Sequence, residues 1–159
     1  MTKDKIQAYQ YRISQSSKTG LLVILYDMAI DYFDEAIAFN GADYKVTREA
    51  LVKANRVIDQ LIKGLDFNYE ISNNLFSIYI YIKKSIVSLK EHFNEKEAKA
   101  IIDMLSKLRE SFYIVSKQDK TGPVMKNTET VYSGLTYSSR GYGNETSRDP
   151  LSNTRGFKA

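Results

Sequence analysis

The stretch 17-SKTGLLVILYDMAIDYFDEAIAF-39 decides the fold of this 159-residue chain. Its apolar side chains recur at steps of three and four residues, which is the period of one face of an α-helix. Ser17 is placed to cap the start of such a helix, and Gly41 follows its end. The pattern therefore predicts an amphipathic helix over about residues 18–39. Its apolar stripe consists of Leu22, Leu25, Tyr26, Ala29, Phe33, Ala36 and Ile37.

Three further segments have the same period. They cover about 44–65, about 70–93 and the residues that follow Asn94, and Asp43 and Asn94 are predicted N-caps. The second stripe consists of Leu51, Ala54, Ile58, Leu61 and Leu65. The third consists of Ile71, Leu75, Ile78, Ile82, Ile86, Leu89 and Phe93, and the fourth of Ala98, Ile101, Leu105, Leu108, Phe112 and Val115.

The joints between these segments are only a few residues long. Short joints make consecutive helices antiparallel neighbours, and helices with one apolar stripe must pack those stripes together. We therefore predict an all-α fold, an antiparallel up-down-up-down four-helix bundle over residues 17–119. A short, mobile N-terminal segment, residues 1–16, precedes it.

The composition changes near Lys120. Both Pro, five of the eight Gly and eleven Ser or Thr lie in residues 120–159. Such a segment does not bury enough apolar surface to offset its ordering entropy. We therefore predict a flexible tail over 120–159, rich in Gly, Ser, Thr and Tyr, that is disordered when alone.

The residue inventory argues against catalysis. The chain has no Cys, so thiolate metal sites and cysteine nucleophiles are excluded. His92 is the only histidine and falls in the last turn of the third predicted helix, which leaves little material for acid–base or metal chemistry. No Gly-rich phosphate loop precedes a helix. We predict a protein that is not an enzyme and uses no cofactor or metal.

Four carboxylates, Asp27, Asp31, Asp34 and Glu35, share one face of the first predicted helix. A carboxylate ladder in a bundle is typical of di-metal sites, but those also require Glu-x-x-His pairs on opposing helices. The chain contains no such pair. We therefore interpret these residues as a solvated acidic face.

The charge distribution argues against a nucleic-acid partner. Residues 1–119 carry 17 basic and 16 acidic side chains, and residues 120–159 carry 6 and 3. The basic excess thus lies in the tail, whereas nucleic-acid-binding domains carry it on a folded face. The longest apolar run has six residues, far fewer than the ~20 of a membrane span, and the first residues are too polar for a signal peptide. We therefore expect a cytoplasmic protein without stable membrane association.

Two helices have apolar residues outside their main stripes. Two explanations are equally good. Each helix packs on two neighbours and so needs a wide apolar stripe, or the residues line a groove that binds an amphipathic helix. If they form a groove, its predicted residues are Val23, Ile24, Ile30, Phe76, Ile80 and Val87.

The N-terminal segment has three apolar side chains in a short amphipathic stretch. It is too short to be a stable helix alone, so it is either a frayed terminus or a displaceable cover for the groove. The predicted cover residues are Tyr9, Tyr11 and Ile13.

The sequence resembles the flagellar secretion chaperones called FliS. The resemblance covers about residues 8–115 and is carried mainly by Leu25-Tyr26-Asp27-x-Ala29-Ile30 and by Leu65-Asp66-Phe67. It departs from the usual pattern at Lys18, where the family commonly has Pro, and at Met28, where it commonly has Gly.

The resemblance implies a cytoplasmic four-helix bundle that binds the C-terminal segment of flagellin. Such a chaperone prevents premature polymerisation and keeps flagellin competent for flagellar type III export. It also implies the export gate protein FlhA as a further partner. Two alternatives remain open: a helical adaptor for another protein, and a nucleic-acid binder that acts through the tail.

Overall fold

The structure is a computed structural model that describes residues 1–126. These residues form five helices and no strand, so the predicted all-α class is confirmed for them. The helices are α1 (Lys3–Gln15), α2 (Lys18–Phe39), α3 (Tyr44–Lys63), α4 (Glu70–Glu91) and α5 (Glu95–Gln118). The predicted tail lies outside the described residues from 127 onward.

The predicted caps set the starts of three helices. The Ser17 hydroxyl accepts a hydrogen bond from the Gly20 amide at 3.2 Å, and the Asp43 carboxylate accepts one from the Val46 amide at 3.1 Å. The Asn94 side chain accepts from the amides of Lys96 and Glu97. Each acceptor satisfies an amide that has no partner inside its helix. Between α2 and α3, Gly41 has a φ of 83°, a conformation that favours glycine.

Four helices enclose one core. α2 packs against α3 and α5, and α4 packs against the same two helices, so α2 and α4 lie diagonally across from each other. The start of α3 meets the end of α4, because the Tyr44 hydroxyl donates to the Lys90 carbonyl oxygen at 3.0 Å. The largest fully buried side chains are Tyr26, Phe33, Leu51, Ile58, Leu61, Tyr79, Ile82, Ile86, Leu89, Ile101 and Leu105.

The start of α2 also meets the end of α5. The Asp119 carboxylate accepts hydrogen bonds from the Thr121 amide at 2.9 Å and from the Thr19 hydroxyl at 2.7 Å. A hydrogen bond from the Thr121 hydroxyl, followed by those from the Thr19 hydroxyl and the Thr121 amide, holds the pKa of Asp119 well below its usual range. Further along, the Val124 amide donates to the Ser16 carbonyl oxygen at 3.1 Å. The segment after α5 therefore returns along the joint between α1 and α2.

Two predicted core positions are wrong. Ile71 and Val115 are exposed, although the stripes of the third and fourth predicted helices include them. Ile71 lies in the first turn of α4, before its first buried residue, and Val115 lies in the last turn of α5, beyond its last buried residue. The period continues to the end of a helix, whereas burial continues only as far as a neighbour packs against it.

Two tyrosines cross the centre of the core. The hydroxyls of Tyr26 on α2 and Tyr79 on α4 are hydrogen-bonded to each other, and the Phe112 ring stacks on Tyr26 with centroids 5.6 Å apart. Burial raises the pKa of both hydroxyls, so both stay neutral. The pair joins the two diagonal helices and satisfies both polar groups.

We predict that Tyr79→Phe lowers the free energy of unfolding by about 1–3 kcal/mol, because it leaves the buried Tyr26 hydroxyl without its partner. The double variant Tyr26→Phe/Tyr79→Phe should cost less than the sum of the single variants, since it leaves no such group. Urea unfolding of the four proteins measures this coupling. Strictly additive costs would show that the hydroxyl pair contributes nothing.

Candidate functional site

Helix α1 lies antiparallel along one face of α2 and is held there by ion pairs. Lys5 pairs with Asp31 at 2.7 Å, and Arg12, two turns further along α1, pairs with Asp27, one turn earlier on α2. The side chains of Asp27 and Asp31 are only 18% and 19% exposed. The interpretation of a solvated acidic face is therefore wrong for these carboxylates, because α1 covers them.

The N-terminus, which precedes α1, and helix α5 contribute further cations to this face. The Met1 α-amino group pairs with Glu35, whose second carboxylate oxygen is buried without a partner. Arg109 of α5 donates a hydrogen bond to Asp27 at 2.8 Å. This hydrogen bond raises the pKa of the guanidinium, because it outweighs the lowering of the pKa by burial. Asp34 is exposed, but desolvation, followed by the charge of Asp31, raises its pKa. Asp34 alone matches the predicted solvated face.

Tyr9 is the principal contact of the predicted cover. Its side chain is buried, its hydroxyl donates to Asp31, and the Arg12 guanidinium lies 5.4 Å from the centre of its ring. Burial, followed by the hydrogen bond to Asp31, raises the pKa of Tyr9. Ile13 is half-buried, whereas Tyr11 is 70% exposed. Tyr11 therefore does not cover anything, since it lies on the solvent side of α1.

The predicted groove residues of α2 are not exposed. Val23 and Ile24 are buried, yet neither belongs to the main core. Ile24 lies three residues before Asp27 and seven before Asp31, which puts it on the face that α1 covers. Ile30 is partly buried against the main core. Because the N-terminal segment is the predicted cover of the groove, the burial of Val23 and Ile24 does not contradict their assignment to it, and that assignment stays a prediction.

Helix α4 does have an exposed apolar strip. Phe76 is 38% exposed and Val87 is 58% exposed, with the half-buried Ile80 between them. We call these three residues the α4 strip. The ring of Phe67, in the joint before α4, meets the edge of Phe76 at 78°, with centroids 5.8 Å apart.

The six predicted groove residues thus form two surfaces rather than one. The α4 strip is open, the α2 residues are covered, and their two helices are diagonal. Sequence reasoning also missed Phe67 as a neighbour of the strip. Its signal was an aromatic residue in a polar joint, in the Leu65-Asp66-Phe67 block.

Residues 1–126 contain no group of three or more His, Asp or Glu side chains arranged to hold a metal ion. None of the described helices is long and apolar enough to cross a membrane. His92 is an exposed residue that ends α4.

A comparison with protein-family models gives one result that covers most of the chain. The family described as flagellar protein FliS matches residues 1–119, which include all five helices. A comparison with curated proteins finds no match. The matched region contains both the α1-covered face of α2 and the α4 strip, and the chain belongs to the FliS family of flagellar proteins.

Proposed function

We propose that this protein is a cytoplasmic export chaperone that binds the C-terminal segment of flagellin. It prevents premature polymerisation and keeps flagellin competent for flagellar type III export. Membership of the FliS family supports the coarser role of a flagellar export chaperone. The frame of the proposed complex is an antiparallel four-helix bundle over residues 17–119, and the export gate protein FlhA is a second proposed partner.

The observation that carries this proposal is the α4 strip. The opposite side of α4 already contributes Leu75, Ile82, Ile86 and Leu89 to the core. Phe76 and Val87 therefore contribute little to packing within the chain, and an exposed apolar strip on a helix is typical of a docking surface for an amphipathic segment.

The face beneath α1 is the second proposed contact surface. Lys5 and Arg12 remain 48% and 43% exposed in their ion pairs. Exposed ion pairs contribute only about 0–1 kcal/mol each, so these two pairs hold α1 weakly. The buried Tyr9 and the pair between the Met1 amino group and Glu35 are further contacts with α2. A flagellin segment that replaces α1 reaches Val23 and Ile24. The proposed ligand therefore wraps around the bundle and uses both surfaces.

We predict that Lys5→Gln/Arg12→Gln strengthens flagellin binding about threefold. The substitutions remove two ion pairs that hold α1 in place, so α1 leaves α2 in a larger fraction of the molecules. Because only those molecules bind flagellin at this surface, the apparent dissociation constant falls. Calorimetric titration of both proteins measures the change. The matched control is Lys96→Gln/Lys99→Gln on α5, which removes the same charge far from α1 along the chain and should leave the affinity unchanged. Unchanged or weaker binding by the α1 variant would contradict the role of α1 as a cover.

The proposal itself is tested by calorimetric titration of the full chain with about the last forty residues of flagellin from the same organism, in about 150 mM salt. We expect stoichiometric binding and a large negative heat-capacity change, because a disordered segment folds and buries apolar surface on binding. No heat at several temperatures from the folded protein would exclude flagellin as the partner. The chain would then be a helical adaptor for another protein.

A further inference from the structure

The outer face of α3 has a concentration of basic side chains. The inner face of this helix is buried in the core, with Leu51, Ala54 and Ile58 at its centre. On the outer face, four cations lie between Tyr44 and Arg56 together with a single acid, Glu49. The cations are Lys45, Arg48, Lys53 and Arg56.

This outer face forms a shallow open cavity. Its volume is ≈510 Å³, and its apolar lining comes from Val52 and from the ring of Tyr44, which is 63% exposed. That volume is within the range of about 300–1,000 Å³ that is usual for ligand sites. The cavity therefore combines an apolar floor with a basic rim, a pattern that fits an amphipathic ligand rather than a bare ion.

The four cations have no carboxylate partner among the described residues. The ion pairs of residues 1–126 use other cations: Lys5, Arg12, Lys83, Lys99, Lys107 and Arg109, together with the N-terminus. Lys83, for example, pairs with Asp59, the acid one turn beyond the cavity. No carboxylate of the described residues thus neutralises these cations, although the Lys53 ammonium lies 6.0 Å from the centre of the Tyr32 ring, whereas Asp27, Asp31 and Glu35 of α2 are paired within the chain.

We propose that the outer face of α3, from Tyr44 to Arg56, binds an acidic amphipathic helix of a partner protein. The face is about 18 Å long, which equals about three turns of a partner helix. Glu or Asp side chains at helical steps would pair with Arg48 and Arg56, whose guanidinium groups match carboxylate geometry, while apolar side chains would contact Val52. This surface is separate from the α4 strip. It recognises its ligand mainly by charge, whereas the α4 strip binds through apolar contacts.

Two observations favour a protein over a nucleic acid. The floor of the cavity is apolar, formed by Val52 and the Tyr44 ring, and an amphipathic helix can cover it with apolar side chains whereas a phosphate backbone cannot. In addition, residues 1–119 carry 17 basic and 16 acidic side chains, so the long-range field that attracts nucleic acid is nearly absent.

The test uses the full chain and a fluorescent 14-residue helical peptide of Leu, Ala and Glu, with Leu at helical steps and Glu beside it. A peptide with Gln in place of every Glu is its matched partner. We expect the Glu peptide to bind about tenfold more tightly in anisotropy titrations and to weaken between about 50 and 300 mM NaCl. Equal binding of the two peptides would overturn recognition by charge.

Two variants locate the site. Arg48→Gln/Arg56→Gln should weaken binding of the Glu peptide about tenfold, whereas the charge-matched control Lys96→Gln/Lys99→Gln should not. Both arginines are exposed, so circular dichroism should be unchanged. If the arginine variant binds the Glu peptide as tightly as the parent protein does, the proposal is wrong. It is also wrong if the parent protein binds a poly-uridylate of similar length more tightly than the Glu peptide, which would assign the face to nucleic acid.

Discussion

Replacing Phe76 and Ile80 together by Asp is expected to weaken flagellin binding about 100-fold, which corresponds to about 2.8 kcal/mol. A few well-packed apolar residues carry most of the binding free energy of an interface, and Phe76 is the largest side chain of the α4 strip. Each carboxylate would also lose its water in the complex without gaining a partner, which adds a desolvation cost. Titration with the flagellin segment measures the loss.

The control for this variant is Ser77→Asp/Tyr81→Asp on the same helix. It introduces two carboxylates with the same spacing, but about 100° further around α4, at positions that are also exposed. Both double variants should retain the circular dichroism of the parent protein. If the two weaken flagellin binding equally, charge on α4 rather than the α4 strip is responsible. If neither weakens it, α4 does not contact flagellin.

The four long helices could be predicted because their signals are local. Caps at Ser17, Asp43 and Asn94, together with apolar periods, predicted where α2, α3 and α5 begin. Residues that cap a helix act on amides two or three positions away, so no knowledge of the tertiary structure is needed. The C-terminal ends were less well predicted, since α3 and α4 each end two residues earlier than expected.

Helix α1 illustrates what local signals do not contain. A helix of 13 residues is marginal in isolation, so its order depends on tertiary contacts. The complementary charges were visible in the sequence, with Lys5 and Arg12 on one segment and Asp27 and Asp31 on another. Matching them requires knowing that α1 folds back along α2. Without that knowledge, Asp27 and Asp31 were interpreted as solvent-exposed, although they lie in the interface between α1 and α2.

The candidate groove could be predicted only in part for a related reason. A helical wheel gives the angle of each side chain about its own helix but not which neighbour occupies that angle. Phe76, Ile80 and Val87 were correctly identified as apolar residues outside the main stripe, since Phe76 and Val87 are exposed, Ile80 is half-buried and none of them belongs to the main core. Ile24 also lies outside its main stripe, but α1 occupies that side of α2.

The largest loss of stability is expected from Ile82→Ala in the middle of α4. Ile82 is fully buried in the main core, between Phe76 and Val87 along the helix but on its opposite side. Removing three carbons from a packed core costs their transfer free energy and also leaves a cavity, because the surroundings relax only partly. We expect the free energy of unfolding to fall by about 2–5 kcal/mol in urea titrations.

Val87→Ala, a truncation in the α4 strip of the same helix, is the matched control. Because Val87 is 58% exposed, its loss should change the free energy of unfolding by no more than about 0.5 kcal/mol. At low temperature, where both variants are folded, flagellin binding should reverse the order: Val87→Ala should weaken it, and Ile82→Ala should not. Such an inversion would show that one side of α4 stabilises the core and the other side binds flagellin. Loss of stability in both variants, or of binding in both, would mean that α4 does not divide its two sides between folding and binding.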